Sequence, residues 1–416
     1  MKQLVVIFII LTTLPSIAQQ SISLKECYDL IVLNYPLAKQ SQLLEAQNQF
    51  DTEIISNARL PQFNLDAKAT YQSDVIGIPI PNSTIETLNK DQYRATLSVN
   101  QLIYNGGHTD ASLNMKSAQL KTKQKQVEVS LYQLKQQINQ LYFSILLYEE
   151  ADALLKTKQA QLNAKLKEVK SGIKHGVILP SSDKILEAEL LKTNQYFQEL
   201  ESNKMALIET LSRLIGQTLD GSTLFKNPLL KIQLKEGLAR PELDLFQLKK
   251  EEIETSETLI SKQNSPMLFG FATGGYGSPG LNMLDNSFKS FYTVGVKLNW
   301  NVFDWNTNKN QRKSLAINKD FVDNEIELFK LNTNIELNKQ QKNIEKIDGI
   351  IASDNEIINL RKDVLKTAES QLKNGVITSS AYVTELTNLY EAENTLVRHQ
   401  IELQLAKANY NIIKGE

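Results

Sequence analysis

The 416 residues carry 46 basic and 47 acidic side chains, three histidines and one cysteine. So even a balance gives no basic surface to draw in nucleic acid, and the lone Cys27 excludes both an internal disulfide framework and a cysteine metal cluster. His108, His175 and His399 are scattered, and no nucleophile elbow, P-loop or dinucleotide fingerprint occurs, so the residues offer no catalytic, cofactor or metal site and the chain is not expected to be an enzyme.

Residues 1–18 read as a secretory signal peptide. Lys2 supplies the positive end, residues 4–14 are apolar, and Ser16-Ile17-Ala18 is an A-x-A-like cleavage site. The apolar stretch is too short to span a bilayer as a helix, which disfavours the rival reading of an uncleaved anchor. The mature chain is expected to start near Gln19, outside the cytoplasm. Cys27 follows without a lipobox and reads as a packed core residue.

A short helical stretch is expected to end at Pro36. Two alternating stretches follow, at residues 62–73 and 92–103. In the first, Phe63, Leu65, Ala67, Ala69 and Tyr71 alternate with Asn64, Asp66, Lys68 and Thr70; in the second, Tyr93, Ala95, Leu97 and Val99 are the apolar set. Period-two patterning predicts strands with one apolar and one polar face. Between Gly107 and Gly172 there is neither glycine nor proline, and Val127, Leu131, Leu134, Ile138, Leu141 and Ile145 keep a spacing near 3.5, resumed at Leu155, Leu162, Leu166, Val169 and Ile173. That predicts a helix over 106–175, packed at coiled-coil angles and on the order of 105 Å long at ~1.5 Å per residue. Gly176-Val177-Ile178 forms a turn, and Ser181-Ser182 starts a return helix over 182–215. Turn residues such as Asp220-Gly221 and Asn227-Pro228 mark a linker over 217–239.

The pattern then starts again. Pro241 and Pro266 stand 205 residues after Pro36 and Pro61, while Gly375 and Gly415 stand 199 after Gly176 and Gly216. Two constant offsets predict two copies of one unit, residues 19–216 and 240–416. The second copy is expected to have strands at 266–277 and 288–303, a long helix at 305–374 and a return helix at 379–414 opened by Ser379-Ser380. Its first strand shows Met267, Phe269 and Phe271, then dissolves into Gly274-Gly275-Tyr276-Gly277; the second alternates cleanly at Tyr292, Val294, Val296, Leu298 and Trp300.

No apolar run of 18 or more residues follows the signal peptide, so the strands alone are candidates to cross a membrane. Four strands cannot close a barrel, and open edges in lipid are costly, so the chain would have to oligomerise; two, three or four copies could close. Alternating strands also build soluble sandwiches, and heptads also build plain rods. Placement of each hairpin between two helical arms, in both copies, favours a channel.

The ordered set Leu24, Tyr28-Asp29-Leu30, Asn34-Tyr35-Pro36, Ala58-Arg59-Leu60-Pro61, Leu102-Ile103-Tyr104-Asn105-Gly106-Gly107, Trp300-Asn301-Val302-Phe303-Asp304, the two Gly-Val-Ile turns and Leu389-Tyr390-Glu391-Ala392 resembles the TolC-like outer-membrane efflux family (the outer membrane factors). The likeness extends over essentially all of the mature chain. It implies a mixed, mainly α fold: a homotrimer with a long periplasmic α-helical barrel of coiled-coil-like helices and a membrane β-barrel built from four strands per chain. It implies residence in the lipid bilayer of a Gram-negative outer membrane, extending into the periplasm. There the protein would be the passive exit duct of a tripartite efflux system for small molecules. A periplasmic adaptor (membrane fusion) protein and an inner-membrane RND, ABC or MFS transporter would be its partners. An exit duct for type I protein secretion, or a pore-free periplasmic coiled-coil scaffold or adaptor, are the alternatives.

The resemblance also implies site residues. Gly176, Val177, Ile178, Gly375, Val376 and Ile377 would form the adaptor docking tip, with the Val and Ile exposed. Two aspartates that ring the closed periplasmic entrance in the best-known relative correspond to Ala381 and Thr384, so that acidic ring is absent; the nearest acids are Asp183 and Glu385. Tyr104, Gly106, Gly107, Phe303 and Asp304 form the strand-helix joints. Residues 73–92, with Pro79, Pro81, Asn82 and Ser83, and residues 274–287 would be external loops. Leu65, Leu97, Val294 and Leu298 would face lipid, with Tyr71, Tyr93, Tyr292 and Trp300 near the interfaces.

Overall fold

A computed structural model describes residues 20–76, 87–232 and 237–415. The signal-peptide segment, and Pro79, Pro81, Asn82 and Ser83 of the first loop, lie outside the described residues. In chain order the elements are β1 (Ser21–Ile22), α1 (Leu24–Asn34), α2 (Lys39–Asn57), β2 (Gln62–Tyr71), β3 (Asp91–Tyr104), α3 (His108–Lys174), α4 (Ser182–Ile215), β4 (Leu224–Phe225), α5 (Pro241–Lys262), β5 (Met267–Ser278), β6 (Lys289–Asn299), α6 (Thr307–Lys373) and α7 (Ser379–Lys414).

Local chemistry sets several of these boundaries. Ser23 and Glu26 close a capping box at the start of α1: the Ser23 hydroxyl accepts from Glu26 N–H, and Ser23 N–H donates to the Glu26 carboxylate. Helix α1 ends at Asn34 just before Pro36, which opens a short helical turn, and Pro241 opens α5. Proline's missing N–H costs nothing in a first helical turn, where no partner is available anyway. The strand expected over 288–303 stops at Asn299. At Trp300 the backbone leaves the ladder, and the indole N–H donates to Asn264 O at 3.1 Å. The residues expected to be only a linker contain β4, which pairs in parallel with β1.

The chain divides into two compact units. One takes in the chain through Lys39, residues 127–241 and residues 329–416; the other takes in residues 40–126 and 242–328. The 67-residue helices α3 and α6 each give a stretch to both.

In the first unit, Ile22, Leu24, Cys27 and Ile31 pack with Ile138, Tyr142, Phe143 and Ile145 of α3, Ile208, Leu211 and Ile215 of α4, and Ile401 and Ala408 of α7. The Tyr142 hydroxyl lies within hydrogen-bond distance of Ile22 O (3.0 Å) and Lys226 O (2.7 Å), and so ties the short β1–β4 pair to the core. Cys27 is fully buried here, and burial pushes its thiol up to about 12, which leaves it protonated and inert. A second cluster, Leu162, Val169, Leu186, Leu372, Tyr382 and Leu386, binds the ends of α3, α4, α6 and α7 together.

The second unit holds a four-stranded antiparallel sheet of order β2-β3-β5-β6. Leu65 stands opposite Leu97, Leu97 opposite Gly274, and Gly274 opposite Tyr292, so the apolar positions of three strands fall on one face. β5 completes that face with Leu268 and Ala272. Met267, Phe269 and Phe271 therefore lie on the polar face, in the opposite phase to the other strands' apolar residues. Nor does β5 dissolve at its glycines; it runs on to Ser278. A Cβ on Gly275 would come within 2.4 Å of the Phe291 ring, and one on Gly295 within 2.8 Å of the Phe271 ring. The glycines thus make room for rings from the adjacent strand. Among the described residues no helix is long and apolar enough to cross a membrane.

Candidate functional site

The tip is built by two turns of one design. Gly176 takes φ +73°, its N–H donates to Ile173 O, and Val177 N–H reaches back to Gly172 O at 2.9 Å. Gly375 takes φ +69°, its N–H donates to Leu372 O, and Val376 N–H reaches Gln371 O at 2.8 Å. Both are Schellman closures, which satisfy the last carbonyls of α3 and α6 and need glycine in the left-handed region. The turns lie side by side, since a Cβ on Gly375 would meet Val177 O at 3.7 Å.

This geometry separates the valines from the isoleucines. Val177 and Val376 are 63% and 69% exposed. Ile178 and Ile377 instead turn inward against the cluster of Leu162, Val169 and Leu372. The expectation that both side chains of each pair stand exposed is corrected accordingly. Ile178 is locked by Gly172, where a Cβ would come within 2.6 Å of its Cδ1. Leu179, which sequence reading passed over, is exposed beside Val177. The serine caps also differ from expectation. Ser181 caps α4 from a left-handed φ of 71° without a side-chain bond to the helix, and Thr378 caps α7 by accepting from Ala381 N–H.

Of the four residues expected at an entrance, Ala381 and Thr384 are exposed on α7, and the Thr384 hydroxyl donates to Ser380 O. Glu385 is not a free acid. Arg361 of α6 stands 3.4 Å from it, and the Asn388 amide donates to it. Asp183 has Lys184 at 3.7 Å. Lys184 also pairs with Glu187, which Lys170 and Lys184 together hold down to about 2. Acids near the tip are thus matched by cations.

Deeper in the same bundle lie two buried cations that sequence reading missed. Lys158 of α3 meets Glu189 of α4 at 2.7 Å. Lys165 of α3, with a side chain only 6% exposed, meets Glu168 and Glu369 at 2.7 Å each. It also lies 5.2 Å from the Tyr382 ring centroid. Burial works against the Lys165 charge, but the two carboxylates outweigh it and hold its pKa above the ordinary lysine value. A signal for both was present. Lys158 and Lys165 fall midway in the Leu155-Leu162-Val169 heptad series, where an apolar residue is the rule.

The joints are equivalent turns made from different residues. Gly106 and Gly107 have φ +63° and +81°, and a Cβ on Gly106 would strike Ser265 at 2.1 Å. In the second half the same two positive-φ places are filled by Trp305 and Asn306. Asp304 accepts from Asn308 N–H at 2.9 Å and from the Asn264 amide at 2.5 Å, contacts that lower its pKa. Phe303 stacks edge-on with Trp305, and Tyr104 stands exposed at the first joint.

At the opposite end of the sheet, residues 274–278 expected in a loop belong to β5, and the connection begins at Pro279. The Arg94 guanidinium donates to the carbonyls of Pro279 and Gly280 and lies over the Phe291 ring. Asn286 bonds both Thr87 and Asn89, which ties the two strand connections to each other. Leu65, Leu97, Val294 and Leu298 share the exposed apolar face, Leu65 being 77% exposed, with Tyr71, Tyr93 and Tyr292 on the same side. The alternate residues Arg94, Thr96 and Ser98 are half-buried. In an ordinary soluble sheet the apolar side would be the covered one.

Long helical hairpins, each preceded by a strand hairpin that joins one common sheet, define the fold of a TolC-like outer-membrane channel subunit. No protein-family model and no curated protein matches the sequence. Solved structures do. CusC, described through its folding and transmembrane channel formation, superposes with a TM-score of 0.69 at 12% identity, over 94% of this chain and 92% of its own. The outer membrane protein VceC of Vibrio cholerae gives 0.65 at 14% identity, over 94% and 96%. The outer membrane channel CmeC of Campylobacter jejuni gives 0.64 at 16%, over 94% and 85%.

Proposed function

We propose that the chain is one subunit of an outer-membrane exit duct, a homotrimer whose twelve strands close a single barrel and whose long helices form a second, periplasmic one. The observation that carries this reading is the sheet. Its apolar face is the exposed one, and among the described residues the outer edges of β2 and β6 pair with no other strand. Bare edges cannot persist in lipid, where each unsatisfied backbone group costs several kcal/mol. Pairing β6 of one copy with β2 of the next continues the antiparallel alternation without a break, so a head-to-tail ring closes the sheet. Second copies would also cover the exposed stripes Leu43, Phe50 and Ile54 on α2, and Ile317, Phe321 and Leu328 on α6.

In this reading the duct is passive and carries small molecules for a tripartite efflux system. The exposed Val177 and Val376 meet the hairpin of a periplasmic adaptor, and an inner-membrane transporter supplies the energy. Ala381, Thr384, Asp183 and Glu385 line or flank the entrance without an acidic ring. The test is photo-crosslinking in living cells from Val177 and Val376, with envelope fractionation and mass spectrometry of what is captured. Recovery in the outer membrane with a periplasmic adaptor attached is the expected result. Recovery in the soluble periplasm would exclude a duct, and capture of sister copies alone would remove the docking assignment.

A further inference from the structure

The polar face of the sheet carries an excess of positive charge. The register sets Lys68 of β2 opposite Arg94 of β3, Arg94 opposite Gly277 of β5, and Gly277 opposite Lys289 of β6. One row across the sheet therefore holds three cations and a glycine. Lys297 adds a fourth cation toward the other end of β6, opposite Phe269. Asp66, opposite Thr96 in the neighbouring row, is the only acid that the four strands place on this face. Lys289 is matched by Asp285 in the preceding loop. Among the described residues no carboxylate pairs with Lys68, Arg94 or Lys297; Arg94 spends its donors on two carbonyls instead. Like charges directly opposite each other weaken a sheet, so the Lys68–Arg94 pair stands against the sheet's own stability.

We propose that this row is a charge filter that makes the duct favour anionic cargo. The inference rests on the channel reading above, in which this face lines the lumen. Closing the sheet with further copies repeats the row around the lumen wall, along a line tilted by the barrel's shear. Rings of Lys and Arg are how pores select anions, and low-dielectric walls concentrate the field of such a ring. Gly277 leaves the row open at its centre, and Phe291 backs the Arg94 guanidinium so that the charge keeps one orientation.

The full-length assembly in planar bilayers under a potassium chloride gradient tests this directly. The native duct is expected to pass chloride in preference to potassium. Lys68→Glu should lower the chloride-to-potassium permeability ratio by roughly tenfold, the low end of what focused charge supplies, and Lys68→Gln should fall between. Arg94 is left intact because it holds the loop. Should Lys68→Glu fail to assemble, Lys68→Gln and Lys297→Gln carry the comparison. Discrete conductance with a cation preference, or a ratio that these substitutions leave unmoved, would overturn the filter and leave the duct standing. Assembled protein with no conductance would overturn the duct reading, and the filter with it.

Discussion

Trp305 and Asn306 occupy, with φ of 54° and 63°, the two backbone positions that Gly106 and Gly107 fill in the first half. A side chain in the left-handed region costs about 1–2 kcal/mol, less for asparagine. Asn306→Gly is therefore expected to stabilise the protein by ~0.5 kcal/mol, and Gly106→Ala to destabilise it by more than about 2 kcal/mol, because its Cβ would also strike Ser265. Thermal melting of both variants in detergent checks the pair. At the tip, Val376→Asp should leave the melting temperature within error, since exposed substitutions shift stability by about 0.5 kcal/mol or less, while abolishing adaptor capture. Ile377→Asp should lower stability by roughly 2–4 kcal/mol by burying a charge in the Leu372 cluster. The Gly-Val-Ile sequence locates the turn. Which side chain faces out is set by the Schellman backbone and by the space at Gly172, neither of which residue type reveals.

Helix α3 shows how an interrupted pattern becomes a contact between elements. Its heptads placed Leu155, Leu162 and Val169 in the core, and all three are buried. Lys158 and Lys165 break the same series because their partners, Glu189 and Glu369, come from α4 and α6, 31 and 204 residues away in sequence. No local rule couples such distant positions. Replacing both Glu168 and Glu369 by Gln strands the Lys165 charge, and should loosen the α3–α6 contact by about 3 kcal/mol, read as faster hydrogen exchange in α6. Because the folded pKa of Lys165 is raised, its contribution is complete below the ordinary lysine pKa near 10.5 and fades as pH climbs through the higher folded value. The stabilisation should thus persist at neutral pH and vanish only in strong alkali, which melting curves from pH 9 upward would show. Strand β5 gives the opposite lesson. Its alternating Met267, Phe269 and Phe271 read as an apolar face, yet the register with β3 and β6 puts them on the polar one. Glycines at 270 and 274 leave the true apolar face of β5 nearly blank in sequence.

At the scale of the whole molecule, legibility followed length. Heptads sustained over dozens of residues and three clean strands pointed to the mixed, mainly α fold that the superposed solved structures share. The sheet order, by contrast, rests on β3 meeting β5 across more than 160 residues, and nothing local to either strand states it. The exposed apolar face is testable in the membrane. Val294→Arg should cost about 2–4 kcal/mol if this position sits near the bilayer midplane, seen as loss of folded protein from the outer membrane, whereas Thr293→Arg on the polar face should insert normally.

The β3–β5 ladder has a genetic consequence as well. It lets a solitary chain join its own two hairpins, so only the β6-to-β2 junctions wait for an encounter between molecules. In the proposed ring of three, a subunit with a ruined β2 but a sound β6 would still be recruited, and would then leave the circle unsealed. Co-expressed in equal amounts with the native chain, such a variant would spare only about one ring in eight. A damaged allele would therefore poison its healthy neighbour.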